Sequence, residues 1–193
     1  MKNRLIIFDC FGVIFDEIAP VFFRNHFEEG TAARLKDKFF VPADRGDITR
    51  EELFDLMSAE LGMKKEDILS EWETLIRLRD YMVPVIEKLG ESADIALLSN
   101  APTGFVEKIF EENNLNRLFD KVFVSSALKM AKPDAEIYLH CVNSFGKKYD
   151  EIFMIDDNLK NLEVLPGIGI TPVLFTDVDS MLEALGEKQP NNT

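Results

Sequence analysis

Arg4-Leu5-Ile6-Ile7-Phe8-Asp9-Cys10-Phe11-Gly12-Val13 is the stretch whose reading decides the fold. Four apolar residues, Leu5 to Phe8, run straight into a carboxylate, and a glycine follows three positions later. An unbroken apolar run is the pattern of a strand covered on both faces, as in a parallel α/β sheet. Asp9 falls where that strand ends, and Gly12 allows the backbone to turn and approach a ligand closely. In open α/β sheets, binding sites lie outside the carboxyl ends of the strands. The competing explanation for Asp9 is a cap on the next helix, so the rest of the chain has to decide its role.

Working outward, apolar runs recur between helical stretches. Asp94 to Leu98 predicts a second strand running into Ser99-Asn100, Lys121 to Ser125 a third, Glu151 to Ile155 a fourth ending in Asp156-Asp157-Asn158, and Thr171 to Phe175 a fifth. Between them, helices are expected up to Gly90, over Gly104 to Asn113, from Pro133 through Val142, over Leu159 to Leu165 and over Ser180 to Leu185. Pro133 is expected at a first helical position, where its fixed φ suits the helix. Strands separated by helices imply right-handed crossovers and a parallel sheet. The polar tail Gln189 to Thr193 is expected to be disordered.

One long segment breaks the alternation. A helix can begin near Pro20, and the chain from about Thr31 to Tyr81 reads as helical throughout. Thr49 with Glu52 three residues on forms a capping box, and Leu53, Phe54, Met57 and Leu61 then recur at helical spacing until Gly62. A further helix is expected over Lys65 to Leu78, with Trp72 in its packed face. The expected organisation is a core of 1–15 and 82–193, with residues 16–81 as an all-helical cap over the site. His26 reads as a packing or solvated histidine.

Composition bounds the function. The 193 residues can bury a real core, and 46% hydrophobic with 30% charged residues is ordinary for a globular protein. A formal net charge of −13 argues against nucleic acid and anionic membrane as partners, which call for a basic face. An anionic substrate would need a metal ion or a placed lysine to overcome that field. Two cysteines, Cys10 and Cys141, form neither a disulfide framework nor a metal spacing, which fits a reducing, cytoplasmic setting. The N-terminal apolar run is too short to span a bilayer and lacks a signal-peptide pattern.

The polar strand ends share a chemistry. Asp9, Ser99, Asp156 and Asp157 each follow a strand, and Lys132 follows the third. Together they offer carboxylates for a hard cation, a hydroxyl, and a lysine for phosphate oxygens. Phe8-Asp9-x-x-Gly12-Val13, Leu97-Leu98-Ser99-Asn100, Lys132-Pro133-Asp134-x-x-Ile137-Tyr138 and Ile155-Asp156-Asp157-Asn158 resemble, in order and spacing, the four motifs of the haloacid dehalogenase superfamily. The resemblance covers nearly the whole chain. It is closest to the phosphatase branch that includes the N-terminal domain of soluble epoxide hydrolase and bacterial sugar-phosphate phosphatases.

That resemblance implies a Rossmann-like parallel sheet with helices on both faces and a small helical cap inserted after the first strand. It implies Asp9 as nucleophile, Ser99 and Asn100 as phosphoryl binders and Lys132 as the neutralising cation. It further implies Mg²⁺ held by the Asp9 carboxylate, the Phe11 main-chain carbonyl and a carboxylate of the fourth motif. The family's Gly-Asp pair falls on Asp156-Asp157, so Asp157 inherits the ligand role. Asp156 is then expected beside it, orienting Lys132 or a metal-bound water. The expected activity is hydrolysis of a small phosphorylated metabolite, sugar phosphates included, by a monomer or weak homodimer.

One departure stands out. Most phosphatases of this family carry a second aspartate two residues after the nucleophile, which protonates the leaving group; this chain has Phe11. Loss of a general acid costs ~10²–10⁴-fold in rate. A phosphatase with an undemanding leaving group, or one using a cap residue such as Asp16, is compatible with Phe11. So are a 2-haloacid dehalogenase and a catalytically weak binding protein. The Asp156-Asp157 pair weighs against dehalogenation, because that displacement needs no metal and two uncompensated carboxylates would raise the pKa of Asp9.

Overall fold

A computed structural model describes residues 2–187; the tail Gln189 to Thr193 lies outside the described residues. Its sheet has five parallel strands, β1 (Arg4–Phe8), β2 (Asp94–Ser99), β3 (Lys121–Val124), β4 (Glu151–Asp156) and β5 (Thr171–Leu174), in the order β3-β2-β1-β4-β5. β1 is therefore central, with Phe8 registered against Leu97 on one side and Ile155 on the other. The chain winds outward from β1 through β2 to β3, then returns to the opposite side with β4. Asp9 lies at the end of β1, where the direction of winding reverses and a crevice opens between the flanking loops.

The two faces of β1 explain its unbroken apolar run. Ile6 and Phe8 enter one buried cluster with α5 (Met82–Gly90), α6 (Phe105–Glu112) and α10 (Val178–Ala184). Leu5 and Ile7 enter a second cluster with α8 (Ala135–Ser144) and α9 (Leu159–Leu162). Each of these four side chains is fully buried. Alternating side chains on a strand point to opposite faces, so both must be apolar when both are covered. This is the expected α/β, Rossmann-like arrangement with helices on both faces.

Between β1 and α5 lie α1 (Ala19–His26), α2 (Glu29–Asp44), α3 (Arg50–Leu61) and α4 (Lys65–Leu75). The capping box on α3 is formed: Glu52 N–H donates to Thr49 Oγ1, Thr49 N–H donates to the Glu52 carboxylate, and Gly62 ends the helix in a left-handed conformation. Trp72 stacks on Phe40 with centroids 5.4 Å apart and meets the ring of Phe54 edge-on, so it anchors the packing of these four helices. The chain leaves and re-enters this segment side by side: Phe15 bridges to Leu78, Asp16 N–H donates to Arg77 O, and Arg79 N–H donates to Ile14 O.

Several expected boundaries shift, and β2 and β4 each run one residue further than expected, to Ser99 and Asp156. α4 ends at Leu75, because Leu78 is drawn into the pairing with Phe15. β3 ends at Val124, and Ser125–Leu128 form a short helix, α7, that the sequence pattern hid. α8 starts at Ala135 with Pro133 outside it, because the main chain of Lys132 is held in a loop by Asn100. α10 starts at Val178, capped by the Asp177 carboxylate.

Candidate active site

The Lys132 ammonium is the hub of the strand-end residues. It lies 2.8 Å from Asp9 Oδ1 and 2.6 Å from Asp156 Oδ2, and all three side chains are buried. Asp9 is fixed at the end of β1 by its own N–H, which donates to Ile155 O at 2.9 Å, and its Oδ1 accepts from Cys10 N–H at 2.6 Å. Lys132 reaches this point because the Asn100 side chain clamps its main chain. Asn100 Nδ2 donates to Lys132 O, and Asn100 Oδ1 accepts from Lys132 N–H, both at 2.9 Å.

Asp156 is saturated by the protein. Besides Lys132, it accepts from Asn158 N–H at 2.8 Å and from Asn161 Nδ2 at 3.1 and 3.0 Å on its two oxygens. Asn161 is placed in turn by Tyr138, whose hydroxyl donates to Asn161 O at 2.6 Å. The sequence motifs gave no reason to single out Asn161 or Tyr138 for this support, which rests on contacts between α8 and α9.

Asp157 has no such lock. One oxygen from each of Asp9, Asp156 and Asp157 lies within 4.8 Å of the others. Asp157 packs over Gly12, whose backbone has φ +82°; a Cβ built there would stand 2.1 Å from Asp157 Oδ2. Gly12 is thus required both for its left-handed backbone and for the close approach of the carboxylate. Burial and then the charge of Asp156 raise the Asp9 carboxyl well above its ordinary value, against the opposing pull of Lys132. Asp157 is raised for the same two leading reasons. One ammonium cannot neutralise three clustered carboxylates, and a hard divalent cation is the group that would. The donor set therefore fits Mg²⁺.

Asp9, Phe11, Asn100, Lys132 and Asp157 line a cavity of about 430 Å³ that extends between the sheet edge and α1–α2. Two of the sequence candidates do not reach its wall. Asp156 lies behind Lys132, and Ser99 is fully buried at the end of β2, its Oγ without a hydrogen bond among the described residues. Phe11 stacks on Phe105 at 5.7 Å, so the position at which the resembling phosphatases carry an acid is an apolar wall.

Asp16 is placed away from this wall. Arg79 Nε donates to its carboxylate at 2.8 Å, and the same guanidinium donates to Gly12 O, which ties the turn after β1 to the re-entering chain. Of these two neighbouring acids it is Glu17 that lines the cavity, where it acts on Asp157. Burial, then the charge of Asp157, push its carboxyl up to about 7. His26 pairs with Glu71 at 2.7 Å and does not line the cavity.

The chain is similar to several known proteins. A sesquiterpene phosphatase of Aspergillus oryzae is 22% identical over 178 residues, covering 90% of either chain. A drimenol cyclase of Aspergillus calidoustus is 23% identical over 190 residues; this chain spans only 36% of that protein's length. The fold is shared with a HAD-family enzyme of Bacteroides thetaiotaomicron, at a TM-score of 0.77 and 23% identity over 97% of this chain and all of the other. The same enzyme has been crystallised with magnesium and inorganic phosphate, and that form superposes at a TM-score of 0.70 over 89% of this chain and 93% of the other. Among the described residues no helix is long and apolar enough to cross a membrane. Residues 3–169 match the family model of haloacid dehalogenase-like hydrolases, and with the four motifs converging on one sheet edge, the chain belongs to that family.

Proposed function

We propose that this hydrolase is a Mg²⁺-dependent phosphatase acting on a small phosphate monoester through an aspartyl-phosphate on Asp9. The observation that carries this reading is the Asp9–Lys132 pair, backed by Asp156, opening with Asp157 into one cavity. Asp9 attacks phosphorus in line; the bond to the leaving oxygen breaks, and its electron pair departs with that oxygen. Water then hydrolyses the acyl phosphate and regenerates the carboxylate. Lys132 and the N–H that follows Ser99 collect charge on the phosphoryl oxygens, where fixed donors are most effective. Asn100 positions Lys132, and Asp156 orients its ammonium.

Asp9, Asp157 and the Phe11 main-chain carbonyl would hold Mg²⁺, with Asp156 beside them; bound there, the cation would relieve the repulsion between Asp9 and an anionic substrate. Residues 16–81 serve as the cap that closes the cavity and selects the leaving group. The relative from Aspergillus oryzae, a phosphatase by name, supports the reaction class, as does the phosphate held by the Bacteroides enzyme. The expected result is release of p-nitrophenol from p-nitrophenyl phosphate that requires Mg²⁺, with no halide released from 2-chloropropionate. Full activity after exhaustive chelation would overturn the proposal.

A further inference from the structure

The wall of the cavity opposite the strand ends is one face of α2. Lys36, Phe40 and Asp44 recur every four residues, so they share that face, and all three line the cavity. Phe40 is held flat against Trp72, with the ring planes 6° apart. Asp44 is held by the core: Ser125 Oγ donates to Asp44 O at 2.5 Å and accepts from Ala101 N–H at 3.1 Å. Ala101 follows Asn100 directly, so the position of Asp44 is tied to the loop at the phosphate end of the cavity.

Nothing in the fold accounts for the Asp44 carboxyl itself. It sits on the last residue of α2, where the helix dipole disfavours an anion, and that last turn carries no basic residue. Its Oδ1 is sealed from solvent and has no hydrogen-bond donor among the described residues, and Lys36 is the first cation to act on it. A half-buried carboxyl at an unfavourable helix end, unpartnered among the described residues and set in a cavity wall, has the placement of a ligand-binding group rather than a structural one.

We propose that Asp44 binds a hydroxyl of the leaving group, so that the enzyme selects phosphate esters of hydroxyl-rich skeletons over esters of apolar alcohols. The inference rests on the phosphatase reading. The second Asp44 oxygen, Oδ2, accepts from a substrate hydroxyl, Lys36 donates to a neighbouring oxygen, and the Phe40 ring takes an apolar C–H face of the skeleton. Alternating C–H and O–H surface is the chemistry of sugars and other polyols.

The test compares kcat/KM of the Mg²⁺-loaded full chain on p-nitrophenyl phosphate, a panel of hexose, pentose and glycerol phosphates, and geranyl phosphate. The best hydroxylated ester should exceed geranyl phosphate by at least tenfold. At about pH 8, above the titration of Asp44, Asp44→Ala should lower the ratio of that ester to p-nitrophenyl phosphate by roughly 10–100-fold, mainly through KM, as expected for a lost hydrogen bond to a charged group. Asp44→Asn, which preserves shape and one hydrogen-bonding oxygen, should lose less. A ratio unchanged in both variants, or a wild type that prefers geranyl phosphate, overturns the assignment while leaving the phosphatase intact. Failure of the wild type on every ester, p-nitrophenyl phosphate included, overturns both.

Discussion

Gly12→Ala separates backbone strain from site geometry. The residue has φ +82°, and a non-glycine residue in the left-handed region costs about 1–2 kcal/mol. For a chain of this length that strain lowers Tm by roughly 2–8 °C. The new methyl would stand 2.1 Å from Asp157 Oδ2, whereas ordinary contact begins at 3.4 Å, so the carboxylate must retreat by more than 1 Å. A displacement of that size costs about 100-fold in a pre-organised site. Gly146→Ala is the matched control, because Gly146 has φ +65° with nothing within 4 Å of an added Cβ. Urea denaturation and kcat/KM on p-nitrophenyl phosphate at saturating Mg²⁺ should show both variants destabilised by similar strain and only Gly12→Ala inactivated. A Gly12→Ala enzyme within threefold of wild type would refute the claim that Asp157 must lie where it does.

Asp9→Asn should abolish turnover with an unchanged melting profile, since the amide is isosteric but not nucleophilic; a near-wild-type rate would rule out the covalent step. Lys132→Met leaves Asp9 and Asp156 buried without their cation, at a cost of about 3–5 kcal/mol that denaturation would register; a loss under 1 kcal/mol would contradict the array. Asp44 titrates upward, from its ordinary 3.8 to about 7, because of burial. The folded state therefore keeps a proton that the unfolded chain releases, and stability falls as pH rises across that window. Urea denaturation at stepped pH should show this slope flattened in Asp44→Asn; an unaltered slope would contradict it. With Phe11 in place of an acid, hydrolysis of aryl phosphates should depend steeply on leaving-group pKa and be indifferent to Asp16→Asn. A flat dependence made steep by Glu17→Gln would place the proton donor on Glu17 instead.

Much of the fold was legible because burial leaves a plain mark on central strands. β1 and β2 lie inside the sheet with both faces covered, so their apolar runs were continuous and their ends sharp. β3 is an edge strand with a partly exposed first half, and its weaker pattern let the reading run on into Ser125, concealing α7. The helix starts that carried side-chain caps, such as Thr49 with Glu52, were readable for a local reason. The start of α8 was not, because it is set by Asn100, far away in the chain.

The acids of the site show where local reading ends. Asp156 and Asp157 are adjacent and chemically identical, and the resemblance alone ordered them; in the structure their difference comes from partners. Asp156 faces Lys132 and Asn161, while Asp157 faces Gly12 and Glu17. Asp16 and Glu17 pose the same problem. In an extended segment neighbouring side chains point to opposite sides, so only one of the two can enter the cavity. Which one is decided when Asp16 N–H pairs with Arg77 O and Arg79 takes the Asp16 carboxylate outward. Arg79 lies 63 residues further along the chain. The sequence window around the first strand therefore contained both acids but not the residue that chooses between them, and Glu17 gained its place beside Asp157 from the far end of the inserted helices.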